Sequence, residues 1–84
     1  MFFVLNKMLT EKEHIIINRI VQRIKELRDK NNVSQRELYY NTNVSIGRIE
    51  QANENIKITT LITICKYFNI SISDLLKGIE DDLD

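Results

Sequence analysis

Few side chains in this sequence can make or break a covalent bond. His14 stands without a second histidine, a cysteine or a carboxylate at ligand spacing, so it has no partners for a metal site. Cys65 is the single cysteine and falls at a helix-spaced apolar position with no neighbouring base in the sequence, which reads as a small core residue and not as a nucleophile. Glycine-rich phosphate loops and nucleophile-elbow motifs are missing. What remains is binding chemistry carried by amides, hydroxyls and cations. The residues in question are Gln35 and Arg36, then Ser45, Arg48 and Gln51 around Gly47, then Lys57. No enzymatic activity, catalytic residue, metal or cofactor is expected.

The elements that position these residues must come from a short chain. Its 84 residues, 43 % of them hydrophobic, suffice for one modest core and not for two. With no proline, two glycines and 29 % charged residues, helices joined by tight turns are favoured over short strands. One cysteine leaves no internal disulfide, and the cytoplasm is the expected compartment. The apolar start from Met1 to Leu5 lacks the basic and small-residue features of a signal peptide, and no apolar run reaches the roughly 20 residues of a membrane-spanning helix.

Ile17, Ile20, Val21, Ile24 and Leu27 recur at spacings of three and four, which predicts a first helix from about Glu11 to Lys30. Asn31-Asn32 is its expected stop, because asparagine tolerates the left-handed conformation. Ser34-Gln35-Arg36-Glu37 has the form of a capping box and starts a second, short helix, which Asn41-Thr42-Asn43 ends. A third short helix follows Val44, with Ser45 as candidate cap and Ile46 and Ile49 on its inner face, and it ends at Ala52-Asn53. After a loop at residues 53–55, Ile58, Leu61, Ile62, Cys65 and Phe68 form an apolar stripe with Thr59 or Thr60 near the cap. A strand over residues 57–64 competes with this helix, since isoleucine and threonine favour strands. Ser71-Ile72-Ser73-Asp74 opens a fifth helix ending near Gly78. The sequence thus divides into an apolar arm at residues 1–10, an all-α domain at 11–79 and an acidic tail at 80–84 with little reason to be ordered.

The order and the residues together resemble the lambda-repressor-like helix-turn-helix family, of the Cro and CI (Xre-like) type. RIKELRDKNNVSQREL (Arg23 to Leu38) is similar to that family's first helix running into its second, and IGRIEQANENIKITTLITICKYFNISISDLL (Ile46 to Leu76) to the stretch from the recognition helix to the fifth helix. The resemblance covers roughly Ile20 to Lys77 and implies a five-helix DNA-binding domain. Two departures stand out. Between Ser34 and Glu50 the chain is about three residues shorter than the usual member, close to one helical turn. Tyr39 stands where a small residue normally lets the two helices of the motif pack closely.

The resemblance places the third helix in the major groove of double-stranded DNA, where each base pair presents a distinct pattern of donors and acceptors. With Ile46 and Ile49 inward, Ser45, Gly47, Arg48 and Gln51 face outward. Arg48 is the leading candidate for a base contact through guanine O6 and N7, with a phosphate contact or a plain solvated arginine as alternatives. Gly47 offers close backbone approach. The resemblance implies that Gln35 bonds a phosphate at the start of the second helix. Arg36, Asn53, Asn55 and above all Lys57 are further phosphate candidates. The resemblance also implies a pair between Glu50 and Arg28 that braces the recognition helix.

A formal net charge of zero argues against nucleic acid only if the chain is uniform. Residues 1–79 carry twelve basic and eight acidic side chains, and four acids crowd into residues 80–84. The leading reading is a small bacterial or mobile-element transcriptional regulator, a repressor by type. It is expected to be homodimeric, since one short helix reads few base pairs. The alternative is a protein-interaction module such as an antitoxin or adaptor, with a protein partner at the apolar arm. Leu75, Leu76 and Ile79 are open to either a seam with a second copy or the chain's own core.

Overall fold

The computed structural model describes residues 10–52 and 55–83, apart from the side chains of residues 50 and 52. Five helices follow in order: α1 (Glu11–Asn31), α2 (Gln35–Thr42), α3 (Ile46–Ala52), α4 (Ile58–Phe68) and α5 (Ile72–Leu76). No strand occurs among the described residues, so residues 58–64 are helical despite their strand-prone composition. None of the described helices is long and apolar enough to cross a membrane.

Thr10 starts α1 through a complete capping box. Its hydroxyl accepts from the Glu13 amide at 3.2 Å, and the Glu13 carboxylate accepts from the Thr10 amide at 2.8 Å. Ser34 and Ser71 cap α2 and α5, each hydroxyl accepting from the amide three residues on at 3.0 Å. The stops are asparagines. Asn32, Asn43 and Asn69 all lie in the left-handed region, at φ 56°, 64° and 58°. After α1 and α4 the turn is of the Schellman kind, with the Val33 and Ile70 amides donating back to the Arg28 and Cys65 carbonyls. After α2 a single bond closes the turn, from the Asn43 amide to the Tyr39 carbonyl at 2.7 Å.

Helices of five to eight residues cannot persist alone in water, so α2, α3 and α5 depend on packing. Ile24, Leu38, Ile46, Ile64 and Leu75 are the largest wholly buried side chains, one from each helix. Each contributes roughly 1.5–3 kcal/mol by leaving water. Leu75 and Ile79 are buried within this core and Leu76 is half-buried against it, so the first two side with the chain's own core in the choice that the sequence left open for the three.

Lys57 precedes α4 without a side-chain cap bond, and Thr59 and Thr60 lie in its first turn, near the cap as the sequence predicts. Two other expectations are not met. Of the expected α4 stripe, Ile58 and Ile62 are exposed, at 57 % and 41 %. The apolar arc of this helix is wider than the sector that the core can cover, and that sector centres on Leu61, Ile64 and Cys65. Secondly, the end of the chain is not a free tail through Asp82. Ile79 is buried, and the Arg19 guanidinium donates to the Ile79 and Asp81 carbonyls at 2.7 and 2.6 Å. Arg23 likewise donates to the Leu75 carbonyl at 2.9 Å. Arg23 thereby satisfies a carbonyl that the short α5 leaves orphaned, and Arg19 holds the turn that follows it. The arm at residues 1–9, the loop residues Asn53 and Glu54, and Asp84 lie outside the described residues.

The left-handed stop after α2 yields a direct test. Asn43→Gly should leave stability near that of the parent, whereas Asn43→Val should cost about 1–2 kcal/mol, because a β-branched residue is strained at this φ. Urea unfolding followed by circular dichroism measures both.

Candidate functional site

The α2 stop makes the connection to α3 only three residues long, Asn43 to Ser45. Val44, in its middle, is buried and pins the turn to the core. Thr42 adds a local clamp, its hydroxyl donating to the Leu38 carbonyl at 2.6 Å and accepting from the Val44 amide at 3.2 Å. The Ser45 carbonyl takes the first bond of α3, from the Ile49 amide at 3.1 Å, so Ser45 starts the helix through its backbone. Ile46 is wholly buried and Ile49 is half-buried against the core, which fixes the rotation of α3.

This rotation leaves Arg48 and Gln51 exposed and Ser45 and Gly47 half-exposed. Gln35 and Arg36, in the first turn of α2, are exposed as well. The space above Gly47 is already occupied, however. A Cβ there would lie 3.0 Å from the side-chain oxygen of Gln35, so the Gln35 carboxamide rests against α3 where the sequence suggested close approach by a ligand. The missing side chain at Gly47 thus leaves room for the Gln35 carboxamide to lie against α3.

A second grouping forms on the other side of α3. Ser45, Arg48 and Lys57 line one groove between the α2–α3 turn and the segment leading into α4. Tyr39 and Asn43 border it from the α2 side, and Asn55 from the other. Arg36 and Gln51 belong to neither grouping. Among the described residues, neither Arg48 nor Lys57 has a carboxylate partner, and both side chains are exposed. Periodicity placed Arg48 on the surface and the charge of Lys57 marked it as exposed, as the structure has both, but Tyr39 gave no signal beyond its size at a position that usually holds a small residue.

Arg28 is the buried charge of the domain, 6 % exposed and on the same stripe of α1 as Ile17, Ile20 and Ile24. One guanidinium nitrogen donates to the Val33 carbonyl at 3.2 Å, while its Nε has no partner among the described residues. The side chain of Glu50, expected to face it, lies outside the described residues.

Nothing in the arrangement points to bond-making chemistry. Cys65 is buried, and burial pushes its thiol pKa up, away from the reactive thiolate. The described residues contain no group of three or more histidine, cysteine or acidic side chains able to hold a metal ion.

In comparison with known families, the model of the Cro/C1-type HTH DNA-binding domain matches residues 23–81. The match includes both groupings around α3 and runs through Ile79 to the turn that Arg19 holds. No curated protein and no solved structure matches the chain significantly.

Gly47→Ala should leave global stability within about 1 kcal/mol of the parent, since alanine is the better helix former and the facing side chain is flexible. It should displace the Gln35 carboxamide, seen as a shift of that side-chain amide pair in a nitrogen-proton correlation spectrum. An unmoved Gln35 signal would mean that the two residues are not in contact.

Proposed function

The chain belongs to the Cro/C1-type helix-turn-helix DNA-binding family, and from that premise we propose that it acts in the cytoplasm as a sequence-specific, dimeric transcriptional repressor. One observation carries the reading beyond the family. Around the α2–α3 turn, Gln35, Arg48 and Lys57 are presented with no carboxylate partner among the described residues. DNA offers what these groups lack, namely anionic phosphates and base edges.

The division of labour follows from reach and chemistry. Arg48 and Gln51, exposed on α3, read base edges in the major groove, and the arginine fork suits guanine. Gln35, whose carboxamide lies against Gly47, contacts the phosphate backbone together with Arg36 at the start of α2, whose amides point outward to an anion. Lys57 and Ser45 hold the backbone on the far side of α3. With only seven residues, α3 covers few base pairs, and a homodimer on two half-sites supplies the missing contacts. Since Leu75 and Ile79 are buried in the chain's own core, pairing uses other residues.

Arg28 supports the recognition helix from beneath. A guanidinium buried this deeply needs an opposite charge, and Glu50 on α3 is the residue we assign to it.

Fluorescence anisotropy with labelled duplexes, a random pool and then enriched sequences, tests the function. Affinity should fall linearly on a log–log plot as salt rises, and Lys57→Ala should weaken all sequences alike while reducing the slope by about one. Arg48→Ala should cost about 1–3 kcal/mol and relax preference at one base position. A folded protein that binds no duplex at low salt contradicts the proposal. For the brace, Arg28→Ala should destabilise by about 3–5 kcal/mol, and a double-mutant cycle with Glu50→Ala in urea unfolding should show coupling. Additive losses would remove Glu50 from the role.

A further inference from the structure

Resting on the DNA-binding reading above, we propose that Tyr39 is a further DNA-contacting residue, its phenol hydroxyl donating to a phosphodiester oxygen seated in the groove that it shares with Arg48 and Lys57. The walls of that groove come from four stretches of chain: α2 at Tyr39, the turn at Asn43, α3 at Arg48 and the entry to α4 at Lys57. Two full positive charges border it, and no carboxylate is among the described residues that line it. A phosphodiester, with one negative charge and two free acceptor oxygens, matches a site of cations and neutral donors. Val44, Ile49 and Ile56 give the groove an apolar side, where hydrogen bonds to an anion gain strength over those in open water.

The donors are arranged for an outside acceptor. The Asn55 side-chain oxygen accepts from the Ile56 amide at 3.0 Å, which leaves the carboxamide nitrogen as the free end of that side chain. Tyr39 differs from Tyr67 in the same respect. The Tyr67 hydroxyl accepts from the Asn41 carboxamide at 3.2 Å and ties α2 to α4, whereas the Tyr39 hydroxyl makes no hydrogen bond among the described residues. Tyr39 is 52 % exposed, so its ring is only half used by the fold. The resemblance implies that about one helical turn is missing between Ser34 and Glu50 and that Tyr39 stands where a small residue is usual. An aromatic ring with a polar tip suits that half-wet position.

The test uses the full chain and a short duplex enriched from a random pool by the wild-type protein, in versions carrying a single uncharged methylphosphonate at each backbone position in turn. Tyr39→Phe removes only the hydroxyl, and circular dichroism should show an unchanged melt. We expect its affinity for the unmodified duplex to fall about tenfold, the loss appropriate to a hydrogen bond with a charged acceptor. One methylphosphonate position that weakens the wild type should cost Tyr39→Phe less than the parent. If the wild type binds and Tyr39→Phe matches it at every backbone position, the contact is overturned while the DNA reading stands. If Tyr39→Ala loses affinity but Tyr39→Phe does not, the residue only packs, and the contact is again overturned. If the wild type binds no duplex, both readings fall together.

Discussion

The geometry around α3 depends on where α2 stops. Asn43, held at φ 64° by one backbone bond to Tyr39, ends that helix and compresses the connection to three residues. A later stop would carry Val44 past its buried position and turn Ile46 out of the core. Because Ile46 is wholly buried, the rotation of α3 is not free, and the outward placement of Arg48 and Gln51 follows from it. The same compression lets the Gln35 side chain cross to Gly47 and brings Arg48 to one groove with Lys57.

The core that enforces this is assembled from helices too short to stand alone, each giving one fully buried side chain. α1 is the exception in length, and it serves the rest twice through arginine. Arg19 and Arg23 reach from its flank to the carbonyls of the closing segment, where they act as caps for a five-residue helix and the turn after it. Arg28 ends the buried stripe of α1 and is the buried charge among the described residues, donating to the Val33 carbonyl just past the end of the helix.

The sequence made the helices legible where local chemistry decides them. Ser34, Ser71, Asn32 and Asn43 mark ends that depend only on neighbours in the chain, and the structure has them as cap residues. Spacing also located the inner faces of α1 and α3. It failed for α4, because a wide apolar arc does not say which sector the neighbours will cover, and Ile58 and Ile62 were left outside. It failed for the closing segment, because the carbonyl partners of Arg19 lie sixty and sixty-two residues away and no local pattern announces them. For the site, helical phase was enough to select Arg48 as a surface cation, and residue type was enough for Lys57. The contact of Gln35 with Gly47 and the place of Tyr39 in the groove arise from how tightly two helices meet, which spacing along one helix does not encode.

If the surface around the α2–α3 turn is the one that meets double-stranded DNA, amide chemical-shift mapping on addition of a duplex shows it, because every backbone amide reports at once. The largest shifts should fall at the start of α2, along residues 45–51 and at Lys57, with the outer face of α1 unmoved. Shifts centred instead on Ile58 and Ile62, or on the segment that Arg19 holds, would contradict this assignment.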